Sequence, residues 1–172
     1  MRVLYRAGQL WQALTATPAI EDLHRASEVL SPQLMALFLN QPAREQVHSL
    51  RVFMRLRGDG VKSSDLLAAA LLHDVGKGRY PLQIWERVLV VIGQALVVRP
   101  GVAKDLGEPR GWKRPFVIAR QHASWGAEMA AAAGATPLTV ELIRRHHDPL
   151  AAAPNHPDDQ LLRRLQILDH SS

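Results

Sequence analysis

The sequence lacks cysteine altogether, which excludes disulfide bridges, cysteine-ligated zinc, iron–sulfur clusters and a thiol nucleophile. Aromatic residues make up only 5% of the chain, and no run of lysine or arginine is interleaved with them. This composition argues against a surface that binds single-stranded nucleic acid by base stacking. The longest apolar run, at residues 88–98, is eleven residues long and about half of the ~20 residues that span a bilayer. We therefore expect no transmembrane segment.

Positive charge and histidine are what the sequence has in excess. Its 172 residues, 47% of them apolar and 22% charged, fit one compact domain. Lysine and arginine number 21 against 16 acidic residues, and seventeen of the 21 are arginines, for a net charge of +5. Arginine binds planar anions such as phosphate and carboxylate. The charge therefore indicates an anionic partner, although a solvated basic surface explains the composition equally well.

Apolar residues recur with a helical period through most of the chain, and strand-like alternation is nearly absent. Thr136 before Pro137 provides a capping hydroxyl and a first-turn proline, and Ser63 provides a cap before an acidic first turn. Gly76 and Gly134 stand where helices are expected to end. We predict an all-α, single-domain helical bundle with helices at residues 4–16, 20–30, 32–39, 43–57, 64–75, 81–98, 115–133, 137–147 and 158–170.

Residues 99–114 contain three glycines, two prolines and several basic residues, and we predict one long surface loop there. The end of this loop, with Trp112, Lys113 and Arg114, is a candidate for a lid that contacts the substrate. A plain surface loop also fits this composition.

A histidine–aspartate pair closes the most apolar segment of the chain. His73 and Asp74 follow residues 66–72, which are apolar on every face, so both polar groups need partners once the segment is buried. The C-terminus of a helix carries partial negative charge and favours a cation. Gly76 then permits a turn, and Lys77 follows closely. Both a metal site and an ordinary solvated helix end fit this pattern.

Four more metal-ligating side chains interrupt apolar stripes on other predicted helices. They are His122, His146, His147 and Asp169. Gly126, one turn after His122, lets another segment or a ligand come close. His48 lies where the apolar arc of its helix meets a basic stripe of Arg44, Arg51 and Arg55. Such a border is typical of a cleft wall that faces an anion, and also of an ordinary helix flank.

Several histidines and two aspartates at comparable positions favour one shared metal centre over a set of unrelated core residues. Neutral imidazoles and carboxylates suit divalent manganese, iron, cobalt, nickel or zinc, and iron and manganese tolerate octahedral sites of this kind best. His24, His156 and His170 have polar neighbours or lie in a loop, and we assign them to the surface.

The order of these residues resembles that of the HD-domain metal-dependent phosphohydrolases. His48 is followed by the run His-Asp-Val-Gly-Lys at residues 73–77 and, much later, by Asp169. The runs His-Ala-Ser-Trp-Gly-Ala from His122 and Ile-Arg-Arg-His-His up to His147 look like the extra ligand helices of the binuclear members. Those members include the HD-GYP phosphodiesterases and small hydrolases of the diadenosine-tetraphosphate type.

The resemblance implies a ligand set, a catalytic pair and a division of the chain. The HD domain would comprise residues 43–172, with residues 1–42 as an N-terminal helical segment packed on it. Asp74 would bridge two ions, a hydroxide held between them would attack phosphorus, and Lys77 would contact a phosphate. Asp74 and Lys77 are therefore the predicted catalytic residues. The implied metal ligands are His48, His73, Asp74, His122, His146, His147 and Asp169.

The implied cofactor is a pair of divalent transition metal ions. Iron or manganese fits the ligands best, with cobalt, nickel, zinc and magnesium as alternatives. Arg79, Arg144 or Arg145 would supply bidentate phosphate contacts, although a solvated helix face explains these arginines equally well.

Two features of particular branches of the family are missing from this chain. Asp148-Pro149 follows His147 where HD-GYP proteins carry Gly-Tyr-Pro, and no Glu-Asp pair stands midway, as expected in hydrolases of guanosine tetraphosphate. The resemblance therefore implies hydrolysis of a phosphoester or phosphoanhydride of a nucleotide-type small molecule. We expect a cytoplasmic enzyme that forms no stable complex with nucleic acid. A catalytically silent module that binds metal and nucleotide, and a nuclease, stay open as alternatives.

Overall fold

The computed structural model describes residues 17–80, 85–86, 108–149 and 157–171. Within these ranges the chain forms seven α-helices, two 3₁₀ turns and no strand, and the prediction of an all-α fold is confirmed. The helices are α1 (Ile20–Ser27), α2 (Pro32–Leu39), α3 (Ala43–Gly58), α4 (Ser64–Leu72), α5 (Arg114–Ala132), α6 (Pro137–Arg145) and α7 (Pro157–His170), and the 3₁₀ turns are Val75–Arg79 and Gly111–Lys113.

Three of the predicted helices end two or three residues early. Helix α1 stops at Ser27, before the turn that leads to the Ser31 cap of α2. Helix α4 stops at Leu72 and α6 at Arg145, in both cases directly before a histidine. The ring of each histidine donates a hydrogen bond to a carbonyl of the last helical turn, and so takes over an acceptor that the helix end leaves open.

Several predicted elements lie wholly or partly outside the described residues. These are the helix at 4–16, the loop at 99–107 and the helix at 81–98, of which only Trp85 and Glu86 are described, both helical. The prediction of a loop is wrong at its C-terminal end, because Gly111–Lys113 forms a 3₁₀ turn and Arg114 begins α5. Arg114 donates hydrogen bonds to the buried carboxylate of Glu86. Trp112 is exposed, and its role in a lid stays a prediction.

Helix α4 lies at the centre of the bundle. Its residues from Leu66 to Leu72 are all buried, and the helix packs against α3, α6 and α7. The predicted cap at Ser63 is confirmed, since its hydroxyl accepts from the backbone N–H of Leu66 at 3.3 Å. An apolar helix buried on all sides is thereby fixed at its start and presents its end, at His73, to the interior.

The neighbouring helices complete the same core. Thr136 caps α6, as predicted, by accepting from the backbone N–H of Thr139 at 3.2 Å. Ala26, Leu34 and Phe38 of α1 and α2 belong to the core cluster that includes α4. A boundary between residues 42 and 43 stays a prediction. None of the described helices is long and apolar enough to cross a membrane.

The 3₁₀ turn after α4 comes into backbone contact with α5. A Cβ placed on Gly76 would lie 1.9 Å from the carbonyl oxygen of His122 and 2.6 Å from the backbone nitrogen of Gly126. The prediction that Gly126 permits a close approach is thus confirmed, and the approaching segment is this turn. Gly76 has no positive φ, so it is required for the close approach and not for a left-handed helix end.

Candidate metal centre

Two of the predicted ligands, His73 and His146, follow the ends of two helices and are held there by the same kind of hydrogen bond. Nδ1 of His73 lies 3.0 Å from the carbonyl oxygen of Ala70, and Nδ1 of His146 lies 2.7 Å from that of Ile143. A carbonyl oxygen only accepts hydrogen bonds, so each Nδ1 carries a proton and donates it, and each ring turns its Nε2 toward the site. Two helix C-termini with partial negative charge therefore converge on one place and favour a cation there.

His122 presents its Nε2 to the same place from the middle of α5. Its Nδ1 lies 3.1 Å from the carbonyl oxygen of Ile118, one turn earlier, which fixes the ring in the same tautomer. His147 follows directly on His146 and is exposed as a residue, although its ring is partly buried against His122. Its Nε2 nevertheless lies 3.1 Å from the Nε2 of His122. All three imidazoles thus meet between α5 and the end of α6.

Helix α7 brings the last carboxylate to the end of α4. Oδ1 of Asp169 lies 2.8 Å from Nε2 of His48 and 3.3 Å from Nε2 of His73. The buried amide of Gln166, one turn earlier, donates to the carbonyl oxygen of Asp148 at 2.8 Å. This hydrogen bond ties α7 to the turn after α6 and so places Asp169 relative to the histidine pair.

The seven predicted ligands form two groups with one carboxylate between them. The ligand atoms of His48, His73 and Asp169 lie within 4.8 Å of one another, and so do those of His122, His146 and His147. Asp74 faces both groups with different oxygens. Its Oδ2 is 3.5 Å from Nε2 of His73 and 4.0 Å from that of His48, whereas its Oδ1 is 3.4 Å from Nε2 of His122 and 3.9 Å from that of His146.

The carboxylates of this centre remain ionised. Burial raises the pKa of Asp74, but the charges of His73 and Lys77 and a hydrogen bond from His122 outweigh it and hold that pKa well below its ordinary value. Hydrogen bonds with His48 and His73 likewise overcome burial and lower the pKa of Asp169. Two negative charges are therefore present across the pH range in which proteins function.

The histidines divide into two electrostatic classes. Burial lowers the pKa of His73, but Asp74 and Asp169 together raise it above its ordinary value. Burial and the neighbouring imidazoles lower the pKa of His146 well below its ordinary value, and burial and His122 lower that of His147 to about 4. Neutral imidazoles present lone pairs, which is the form that binds a metal.

A divalent cation fits this set of side chains. Nε2 of His146 is buried and has no hydrogen-bond partner among the described residues. Nε2 of His73 lies 3.3 Å from Oδ1 of Asp169 and 3.5 Å from Oδ2 of Asp74, so two carboxylates concentrate negative charge around this atom. Buried polar atoms of this kind rarely lack a partner in native proteins, and a metal ion would supply one to His146 and positive charge beside the two carboxylates at His73.

A comparison with protein families agrees with this geometry. The model of the HD domain family matches residues 46–172 of the chain. The protein belongs to the HD domain family. Comparison with curated proteins and with solved structures gives no significant match. The match to the HD domain model confirms the family that the resemblance in the sequence implied. HD domains bind divalent metals, and most of the family are metal-dependent phosphohydrolases.

A cationic cleft opens beside the His48 group of this HD domain. Its volume is about 350 Å³. Nζ of Lys77 lies 2.6 Å from Oδ2 of Asp74 and 3.8 Å from Oε2 of Glu45. The cleft is lined by Arg44, Glu45, Val47, His48, Arg51, Asp74 and Lys77. The basic stripe beside His48 therefore does form a cleft wall, apart from Arg55, whose guanidinium donates to the carbonyl oxygen of Ser171 at 3.0 Å.

The other cations considered for phosphate contacts are engaged elsewhere. Arg144 pairs with Glu141, Arg145 pairs with Asp159 at 2.9 Å, and Arg79 lies 4.0 Å from Glu128. None of these arginines lines the cleft. The surface assignment agrees with the exposure of His24 and His170, whereas His156 lies outside the described residues.

Glu45 is a residue of the site that sequence reasoning missed. Its side chain is buried although it belongs to the first turn of α3. One oxygen lies 3.2 Å from Arg44, and the other lies 3.8 Å from Lys77. A glutamate in a first helical turn is ordinarily a solvated partner of the helix dipole, so only its burial reveals that it orients two cations of the cleft.

Proposed function

We propose that this HD domain is a phosphohydrolase that cleaves a phosphoester or phosphoanhydride bond of a nucleotide-type substrate. The observation that carries the proposal is the position of Asp74, whose two oxygens face two separate groups of ligand side chains. Phosphoryl-transfer enzymes use such paired sites to stabilise both the attacking and the leaving oxygen. The membership of the family, which consists mostly of metal-dependent phosphohydrolases, supports the same reaction class.

In this proposal the two groups of side chains hold one ion each and Asp74 serves both. The first set of ligands is His48, His73 and Asp169, and the second is His122, His146 and His147. Iron or manganese suits these imidazoles and carboxylates best. When bound, the two ions supply Lewis acidity, which lowers the pKa of the attacking water and neutralises charge on the phosphoryl oxygens.

The side chains of the protein have three tasks beside the metal. Asp74 stays ionised and balances positive charge at the centre. His146 and His147 stay neutral at physiological pH because the pKa of each is lowered. The ammonium of Lys77, which lines the cleft beside Asp74, donates to a phosphate oxygen of the substrate and helps to stabilise the charge that develops there.

A turnover panel tests the proposal. The purified chain, loaded with Mn²⁺, Fe²⁺ or Co²⁺, is incubated with nucleotides, dinucleotides and single-stranded nucleic acid, and the released products are quantified. We expect release of phosphate or nucleotide from small substrates. Full metal occupancy with no turnover would favour a silent binding module instead. Degradation of the polymer in preference to nucleotides would favour a nuclease.

Substitution of Lys77 tests its role separately from the metal. Lys77→Gln should leave the metal content unchanged and lower kcat by about 100-fold, the effect of losing one donor to a developing oxyanion. Lys62→Gln, at an exposed lysine outside the cleft, is the matched control and should be neutral. Metal analysis and initial rates measure both effects, and loss of metal from the Lys77 variant would contradict a role in phosphate binding.

A further inference from the structure

We propose that Arg44 and Arg51 form a subsite for phosphate groups that are not attacked, so that the preferred substrate carries a chain of two or more phosphates. This inference rests on the proposed function and specifies its substrate class. It follows from the arrangement of cations along α3 and from the ion pairs that many of the other described arginines make.

The cations lie one helical turn on either side of a predicted metal ligand. Arg44 precedes His48 by four residues and Arg51 follows it by three, so all three side chains share one face of α3. All three line the cleft that also contains Asp74 and Lys77. A substrate whose reacting phosphate sits at Lys77 therefore has both guanidinium groups within the same cleft.

Arg51 is available to a ligand. It is exposed, and no hydrogen bond or ion pair joins it to the part of the chain that the structure describes. Arg44 is oriented by Oε1 of Glu45 at 3.2 Å. A guanidinium keeps its charge and binds phosphate through two parallel N–H groups, so the two arginines suit a polyanion better than a single monoanion.

Lys77 occupies a different position from the arginines. Its ammonium contacts Asp74 at 2.6 Å, directly beside the predicted metal ligands, and Glu45 holds it from the other side. One phosphate at the centre is served by Lys77 and leaves the charge of Arg51 unbalanced, while Arg44 shares Glu45 with Lys77. Further phosphates in the same substrate balance that charge along the wall of the cleft.

The surroundings favour a short phosphate chain over a nucleic acid. A polymer is bound by cations spread along an extended track. Many of the described arginines beyond the cleft instead have a carboxylate partner within the protein, namely Arg25, Arg57, Arg79, Arg110, Arg144 and Arg145. Arg51, without such a partner among the described residues, concentrates positive charge at the cleft.

Calorimetric titration of the Mn²⁺-loaded full chain tests the subsite without turnover. The probes are a methylene-bridged nucleoside triphosphate analogue and the corresponding nucleoside monophosphate. Arg44→Gln and Arg51→Gln should each raise the Kd of the triphosphate analogue roughly 10- to 100-fold, the effect of losing charge-assisted hydrogen bonds, and should change that of the monophosphate much less. Arg51→Lys should fall between the wild type and Arg51→Gln. Arg163→Gln, at an exposed arginine of α7 outside the cleft, is the control and should leave both values unchanged.

The possible results separate this inference from the proposed function. Unchanged Kd values in the Arg44 and Arg51 variants, or equal losses for both probes, would overturn the subsite even if the enzyme turns over nucleotides. Selective loss of the triphosphate analogue supports the subsite even if the turnover panel finds no hydrolysis. Tighter binding of a single-stranded oligonucleotide than of the triphosphate analogue, with Arg163→Gln weakening it as much as Arg51→Gln, would also overturn the inference.

Discussion

Asp74 combines two properties that a single carboxylate rarely has together. It is almost fully buried, and it is held ionised by neighbours on three sides. An isolated buried carboxylate would take up a proton, because burial disfavours its charged form. Its oxygens face different histidine groups, so the residue is placed to serve two cations at once. Removing it should therefore affect both groups.

We expect His73→Ala and Asp74→Asn to remove most of the bound metal. Asp74→Asn removes the charge that faces both groups, and His73→Ala removes a predicted ligand beside it, so metal affinity should fall by more than the roughly 10- to 100-fold that accompanies loss of a group hydrogen-bonded to a ligand. Metal analysis of the purified variants measures the effect. His24→Ala, at an exposed histidine, is the control, and unchanged metal content in Asp74→Asn would refute the assignment.

The lowered pKa of His147 predicts how the stability of the metal-free protein depends on pH. Burial and His122 lower this pKa from 6.5 to about 4. Between these two values the unfolded chain binds a proton at His147 that the folded chain does not, so the free energy of unfolding falls as the pH falls through this window. His146 acts in the same direction, whereas His73, whose pKa is raised, acts in the opposite one.

His147→Gln should therefore flatten the loss of stability on acidification. Thermal unfolding of the chelator-treated wild type and variant at pH 7, 6 and 5 measures the slope. Asp74 and Asp169 do not titrate in this range, since the pKa of each lies below its ordinary value. A slope as steep in the variant as in the wild type would show that His147 is not held neutral by its surroundings.

At the scale of elements, the site depends on how one short turn approaches one helix. The 3₁₀ turn Val75–Arg79 follows the His73-Asp74 pair and packs on α5 through Gly76 and Gly126. This contact sets the distance between Asp74 and His122. Helices α4 and α6 supply the other ligands from their C-terminal ends, so small shifts of these elements change every distance in the centre.

Gly76→Ala should destabilise the fold and disrupt the metal centre together. Its Cβ would lie 1.9 Å from the carbonyl oxygen of His122 and 2.6 Å from the backbone nitrogen of Gly126. Because these are backbone atoms, they have little room to relax, and we expect a loss of at least about 2 kcal/mol in the free energy of unfolding. Gly78→Ala, in the same turn with nothing within 4 Å, should stay within about 0.5 kcal/mol. Urea unfolding and metal analysis compare the two, and equal stability would contradict the close approach.

At the scale of the whole molecule, the metal centre joins helices that are far apart in sequence. His48 and Asp169 are 121 residues apart and lie 2.8 Å from each other, while α4, α5 and the end of α6 supply the other ligands. A cation bound only by the folded arrangement stabilises the complete bundle. Its removal should consequently be visible in global unfolding and not only in activity.

Chelation should lower the Tm of the metal-loaded protein by about 5 to 10 °C. Metal at about 100 times its Kd contributes about 2.7 kcal/mol, and each kcal/mol shifts Tm by about 2 to 4 °C at this chain length. Differential scanning calorimetry with and without chelator measures the shift. His73→Ala should show a much smaller shift. An identical Tm for the loaded and the stripped wild type would contradict a metal that bridges these helices.

The sequence was sufficient for most of the described helices and for the kinds of side chain that meet at the candidate centre. Proline, capping hydroxyls and the 3.6-residue period identify α2 with its bounds intact and the start of α6, because these signals act over a few neighbouring residues. The early ends of α4 and α6 escaped prediction, since a ring nitrogen competes there for the last carbonyls. The burial of Glu45 likewise depends on what packs over α3, and the spacing of residues along the sequence does not predict it.

The sequence by itself determined that this protein is helical, that it lacks cysteine ligands, and that imidazoles and carboxylates are available for a metal. It also carried the ordered motif by which the HD family is recognised. Only the tertiary structure decided which atoms meet: Asp74 between two groups, Lys77 on its Oδ2, and Arg44 and Arg51 in one cleft with His48. The physical reason is that local propensity acts over one or two turns. Distances between side chains on different helices are instead set by packing, such as the backbone contact at Gly76.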